Sequence, residues 1–124
     1  MDAWACGLRG SMARLSTHVL DTSRGLPAHG VTIELHAVAG GERRHVLTAA
    51  TNADGRIASQ EGLAPGVYEL TFHAGDYFRA AGIQLAEPPF LDEVVVRFGI
   101  ADADGRYHVP LLIAPYSYST YRGS

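Results

Sequence analysis

The clearest hydrophobic pattern lies in VTIELHAV, residues 31–38, where apolar and polar side chains alternate strictly. Val31, Ile33 and Leu35 fall on one side, and Thr32 and Glu34 fall on the other. Successive side chains of a β-strand point to opposite faces, so a period of two is typical of a strand with one buried face. This segment therefore predicts a half-buried strand.

Strand-like runs of the same kind follow one another along the chain, separated by turn sequences such as NADG, LAPG and DADG. DEVVVRFGI is rich in valine and predicts a buried strand. The predicted strands are RLSTHVLD, VTIELHAV, RRHVLTAAT, a short strand from Arg56, VYELTFHA, DEVVVRFGI, YHVPLLIAP and YSYSTYRG. Seven or eight short strands with almost no helix predict an all-β fold, an antiparallel β-sandwich.

One segment departs from the strand pattern. GDYFRAAG, residues 75–82, has glycine at both ends, and its interior residues tolerate a helix. We predict two helical turns here, with a loop as the alternative. The following EPPF excludes regular structure, because proline lacks a backbone N–H donor.

Length and charge narrow the class of protein. A chain of 124 residues is one domain by size, and a net charge of −3 argues against a nucleic-acid or polybasic membrane contact. Cys6 is the only cysteine, which leaves no intrachain disulfide and no cysteine-rich zinc site. Residues 1–14 have no hydrophobic signal region. We interpret them as an N-terminal extension, disordered or partly vector-derived, and expect a cytoplasmic protein.

Histidines are the first candidates for chemistry, although none of the six belongs to a zinc signature such as HExxH. His18 shares a strand face with Ser16, but alternation in LSTHVLD does not decide which face is buried. His108 lies two residues before Pro110, which predicts an edge strand or a bulge that re-aims side chains. Two strand-borne imidazoles could act as a general base and its partner near neutral pH.

Two arginines are equivalent on local grounds, because ADGR occurs twice, ending at Arg56 and at Arg106. Either could be a solvated turn residue, or could clamp a planar anionic or imide-like group through its guanidinium. DADG lacks the further ligands of a calcium loop. No GxSxG or Cys–His pattern supports a covalent nucleophile.

Four segments in this order resemble the transthyretin-related family and, within it, the 5-hydroxyisourate hydrolases. They are LSTHVLDTSRGLPAHGV, TNADGR, YHVPLLIAPYSYSTY and the terminal YRGS, and they span residues 15–124. The resemblance implies a single transthyretin-like (prealbumin-like) domain over 15–124: an eight-stranded antiparallel sandwich with one short helix after the fifth strand. It also implies a homotetramer, a dimer of dimers, with active sites in the channel between dimers.

The resemblance assigns roles to individual residues. It implies that His18, Arg56, His108 and Ser124 are catalytic, and that His18, Arg56 and Tyr121 bind substrate. The implied reaction opens the ring of 5-hydroxyisourate to 2-oxo-4-hydroxy-4-carboxy-5-ureidoimidazoline in urate degradation, without a metal or other cofactor. Arg56 is thereby preferred over Arg106, while the choice of general base between the two histidines stays open.

Two other classes of protein share this fold. One is a transthyretin-like carrier, which would bind a small aromatic ligand in the tetramer channel, and the other is an adhesion or structural sandwich. Neither would need His18, Arg56 and His108 together, nor the polar YRGS end.

Overall fold

A computed structural model of the chain describes residues 13–123. Among these residues the chain forms nine strands and one helix. They are β1 (Ala13–Asp21), β2 (Leu26–Pro27), β3 (Thr32–Ala39), β4 (Glu42–Ala50), β5 (Gln60–Leu63), β6 (Gly66–His73), α1 (Ala74–Ala80), β7 (Glu93–Ile100), β8 (Arg106–Ala114) and β9 (Ser117–Thr120). The predicted all-β class and the single short helix are confirmed.

The strands build two sheets that enclose one core. One sheet has the order β2-β1-β8-β9, with β5 also pairing with β1, and the other has the order β4-β3-β6-β7. Neighbouring strands are antiparallel except β1 and β8, which run parallel over eight residue pairs. Parallel strands cannot be joined by a tight turn, so they come from segments that are separated in the sequence. β1 and β8 lie near the two ends of the described chain.

Alternation along β1 and β3 places the core. In β3, Ile33 and Leu35 are fully buried, as their spacing predicts. In β1, Thr17 and Val19 are buried, whereas His18 is partly exposed. Thr17 faces inward at little cost, because its hydroxyl donates a 2.7 Å hydrogen bond to the carbonyl of Val109. The face of β1 that carries His18 is therefore the outer one.

The helix α1 confirms the helix predicted for residues 75–82 to within a residue or two. Its Tyr77 forms a hydrogen bond with Asp21 at the end of β1. Asp21 is fully buried and accepts hydrogen bonds from the hydroxyl of Tyr77 at 2.8 Å and from Arg24 Nε at 3.0 Å. Burial raises the pKa of Asp21, but hydrogen bonds from Ser23, Tyr77 and Arg24 outweigh it, so the pKa falls below its usual value. The aspartate of LSTHVLD is thus structural.

The burial predicted for the valine-rich strand is wrong. β7 is an edge strand: Val94 and Ile100 are buried, but Val95 is 46% exposed. Valine-rich sequence does not show whether a strand has a neighbour on both sides. The first strand begins at Ala13, so the sheet takes in the last two residues of the predicted extension.

Pro110 marks neither an edge nor a bulge. β8 lies between β1 and β9, and its register with both is regular. The ladder with β9 ends at Leu111, opposite Thr120, and resumes in the same register at His108, opposite Gly123. Because proline has no N–H to donate, the ladder is interrupted rather than displaced, and the Thr120 hydroxyl donates to the Pro110 carbonyl at 2.7 Å.

Candidate functional site

The parallel pairing of β1 and β8 brings the first histidine-bearing segment beside the second. Ser16 and His108 are register partners, and His18 is the partner of Pro110. The Ser16 hydroxyl and His108 Nδ1 form a 2.8 Å hydrogen bond across 92 positions of sequence. One face of this strand pair therefore carries both candidate imidazoles and a hydroxyl that can orient one of them.

The TNADGR turn carries Arg56 to the same place. Asn52 Oδ1 accepts the backbone N–H groups of Asp54 at 2.9 Å and Arg56 at 3.0 Å. Gly55 has a φ of +76°, and a Cβ there would collide with the Val19 carbonyl oxygen. Arg56 then forms a single antiparallel bridge with His18. The short strand predicted from Arg56 is wrong, since regular pairing resumes only at β5.

The C-terminal segment returns to His108 after the break at Pro110. The Gly123 N–H donates a 2.7 Å hydrogen bond to the His108 carbonyl. A Cβ on Gly123 would come within 2.5 Å of the His108 ring, so a side chain at this position would displace the imidazole. Ser124, predicted to be catalytic, lies outside the described residues.

These segments border a polar cleft of about 420 Å³, here called the arginine cleft. It is lined by Arg14, Ser16, Arg56, Ser59, Arg106, Tyr107 and His108. His18 does not line it directly, but lies two residues beyond Ser16 on the outer face of β1. The cleft thus joins Arg56 and His108, two of the four predicted catalytic residues, and His18 lies beside them.

Tyr121 is placed elsewhere within a single chain. The residue is 61% exposed and borders a separate, mainly apolar cavity of about 380 Å³ beside β7. Tyr107 lines both this cavity and the arginine cleft. Within one chain, Tyr121 therefore does not line the arginine cleft.

The surroundings of His108 lower the pKa of its imidazole and so favour the neutral form. Burial lowers the pKa of its imidazole, and the positive charges of Arg56 and His18 lower it further, while a hydrogen bond to the Ser16 backbone raises it in part. A histidine whose pKa lies below its ordinary value is unprotonated at neutral pH and can accept a proton. This is the protonation state that a general base needs.

Five residues that line the cleft were not among the predicted site residues: Arg14, Ser16, Ser59, Arg106 and Tyr107. Ser16 could have been found, because alternation already put it on the face of His18. Arg14 was assigned to the extension, and Arg106 was set aside in favour of Arg56. Within residues 13–123, no group of three or more His, Cys, Asp and Glu side chains is placed to hold a metal, and no helix there is long and apolar enough to cross a membrane.

Comparison with known proteins agrees with this geometry. The model of the HIUase/Transthyretin family matches residues 15–123. The 5-hydroxyisourate hydrolase of Pseudomonas aeruginosa is 58% identical over 97% of this chain and 98% of its own length. The structure of Klebsiella pneumoniae 5-hydroxyisourate hydrolase matches 91% of this chain and 100% of its own, with a TM-score of 0.77 and 39% identity. The crystal structure of (S)-allantoin synthase matches 92% of this chain with a TM-score of 0.86 and 43% identity, although the match spans 44% of that longer protein.

Proposed function

The chain belongs to the HIUase/transthyretin family, and from this premise we propose that it hydrolyses 5-hydroxyisourate. The reaction opens the ring at an acyl-urea C–N bond and yields 2-oxo-4-hydroxy-4-carboxy-5-ureidoimidazoline. The domain responsible is residues 15–124. The observation that carries the proposal is the meeting of His18, Arg56 and His108 on one face of the β1–β8 pair.

In the proposed mechanism His108 is the general base. If Nδ1 donates its hydrogen to the Ser16 hydroxyl, the lone pair of Nε2 is free to accept a proton from water. The water oxygen then attacks the acyl carbon, and the carbonyl oxygen becomes an oxyanion. A positioned general base of this kind contributes about 100- to 10,000-fold to the rate. Ser16 is a positioning residue in this scheme, since it acts through the imidazole.

Arg56 and His18 complete the reaction. The Arg56 guanidinium cannot give up its proton, so we assign it the orientation of the substrate and stabilisation of the oxyanion. When the tetrahedral intermediate collapses, the C–N bond breaks and its electron pair stays on nitrogen. His18 delivers a proton to that nitrogen and takes up the proton that the new carboxylic acid loses as it becomes a carboxylate. His108 releases to solvent the proton that it took from water. Each step of this mechanism is carried out by a side chain of the protein. We therefore predict that the reaction needs no metal or other cofactor.

We further propose that the C-terminus completes the site in a homotetramer, a dimer of dimers. Tyr121 would contact the ring of the substrate, and Ser124 would place its hydroxyl near a histidine. Support comes from the Gly123–His108 hydrogen bond of 2.7 Å and from the exposed apolar side chains of Val95 on β7 and Tyr118 on β9. Both strands are sheet edges, which pair readily with a second chain.

The test is an ultraviolet time course on freshly generated 5-hydroxyisourate. The full chain should accelerate loss of substrate, and His108→Asn should lower the rate about 100-fold or more. A chain lacking residues 121–124 should keep its circular dichroism spectrum and lose turnover. A full chain that binds substrate without turning it over would instead indicate the transthyretin-like carrier, and a truncated chain at full rate would remove the C-terminus from the site.

A further inference from the structure

Two arginines of the arginine cleft stand directly side by side. Arg14 on β1 and Arg106 on β8 are register partners, two residues before the partners Ser16 and His108. Side chains two residues apart on a strand share a face and are about 7 Å apart. Like charges on neighbouring strands repel each other, so this pair disfavours the folded state unless an anion lies between them.

No carboxylate among residues 13–123 neutralises the pair. Neither Arg14 nor Arg106 has a salt bridge to any described residue, and the third cleft arginine, Arg56, has none either. Elsewhere in the fold four arginines do pair with carboxylates: Arg24 with Asp21, Arg43 and Arg97 with Glu69, and Arg79 with Asp76. The cleft therefore concentrates unneutralised positive charge, although the chain as a whole carries −3.

The proposed reaction creates the matching charge. Hydrolysis of a cyclic acyl C–N bond leaves a carboxylate where the ring was closed, and opening the ring frees that group to turn. We propose that Arg14 and Arg106 form an anion subsite that binds the carboxylate of the ring-opened product. Arg106 lies two residues before His108 on the same face of β8. This inference rests on the proposed function for the identity of its ligand, but not for the existence of the subsite.

The subsite attracts the carboxylate by its positive charge and does not depend on bidentate hydrogen bonds from a fixed guanidinium. Both guanidiniums belong to exposed residues that line the cleft. In 0.1 M salt, the attraction between exposed charges is largely screened once they are more than about 10 Å apart, and the screening length shortens as salt is added. A lysine at either position should therefore preserve the function, and added salt should weaken it. Arg106 should therefore tolerate lysine, whereas Arg56 should not, because its planar guanidinium is needed to orient the substrate.

The experiment measures binding and needs no turnover. Hydantoin-5-acetate and the neutral hydantoin-5-acetamide are titrated into the full chain by NMR, at 20 mM and 300 mM NaCl. We expect the carboxylate to bind about tenfold more tightly at low salt and about twofold at high salt. Arg14→Gln and Arg106→Gln should each remove most of this preference, whereas Arg14→Lys and Arg106→Lys should keep it.

The matched control is Arg44→Gln, which removes the same charge from β4 in the other sheet. It should leave the preference for the carboxylate unchanged. The proposal is overturned if the wild-type chain shows no such preference, or if Arg106→Gln behaves like Arg44→Gln while circular dichroism shows it folded. Arginine-dependent carboxylate binding in a chain without hydrolase activity would support the subsite and refute the proposed function, so the two failures are distinguishable.

Discussion

Two turns of the molecule share the sequence ADGR and close in the same way, one at residues 52–56 and the other at residues 102–106. In each, the glycine N–H donates to the carbonyl of the first turn residue at 2.9 Å. The glycine carbonyl of each turn also accepts a hydrogen bond from β1, at 2.8 Å in the first turn and 3.0 Å in the second. The repeated sequence thus closes both turns with the same pair of backbone hydrogen bonds.

The turns differ in where they meet β1. The first turn bonds to Val19 and leaves Arg56 opposite His18, whereas the second bonds to Arg14 and starts β8 at Arg106. Both arginines line the arginine cleft, but from opposite ends of β1. The difference teaches that a repeated motif acquires its role from the strand position to which it is attached.

The largest expected effect separates the two arginines. Arg56→Lys should lower kcat/KM about 100- to 1,000-fold, because a point charge cannot replace a planar, oriented oxyanion donor. Arg106→Lys should stay within about twofold, because it retains the charge. Initial rates on 5-hydroxyisourate, with circular dichroism for folding, check this. Equal losses in the two variants would remove the distinction between the turns.

The two glycines should differ in their contribution to stability. Gly55 has a φ of +76°, and an added Cβ would collide with the backbone of Val19. At Gly105 the φ is ordinary, and the nearest atom would be in the Tyr107 ring at 2.6 Å. We expect Gly55→Ala to cost about 2–3 kcal/mol and Gly105→Ala about 1 kcal/mol in the free energy of unfolding. Urea denaturation measures both, and a larger loss at Gly105 would contradict the expectation.

The first residue of each turn provides a smaller contrast. Asn52 Oδ1 accepts two backbone N–H groups, whereas Asp102 Oδ1 accepts that of Asp104 at 2.9 Å. At about 1 kcal/mol for each hydrogen bond, Asn52→Ala should lower the free energy of unfolding by roughly twice as much as Asp102→Ala. Asn52→Ala should also reduce kcat, since it loosens the backbone of Arg56. Thermal and urea unfolding, with rates, test this; similar behaviour of the two variants would refute it.

The subtlest contrast is electrostatic. Because burial and the charges of Arg56 and His18 lower the pKa of His108, activity should persist at neutral pH and fall as the pH drops through that lowered pKa. Arg56→Gln should raise the pKa of His108 toward its ordinary value, and Arg56→Lys should leave it lowered. Arg106→Gln should change it least. NMR titration of the His108 ring measures all three, and a pKa of His108 unaffected by Arg56→Gln would disprove the coupling.

Local patterns predicted most of the strands but not their neighbours. Alternation correctly placed Ile33 and Leu35 in the core, and the valine-rich β7 was still misread as buried. Pro110 was expected at an edge, because proline usually avoids central strands. The fold tolerates it there by interrupting the ladder to β9 and satisfying its carbonyl with Thr120. Such compensation depends on partners that are distant in sequence.

By itself the sequence determined the strand periods, the two turns and the residue types available for chemistry, since these depend on side chains within a few positions of one another. Resemblance of motifs singled out His18, Arg56 and His108. Only the tertiary structure decided that β1 and β8 pair in parallel, which sets Ser16 against His108 and Arg14 against Arg106. Those partners are 92 positions apart, and their meeting follows from the packing of two sheets around a shared core, which no local pattern specifies.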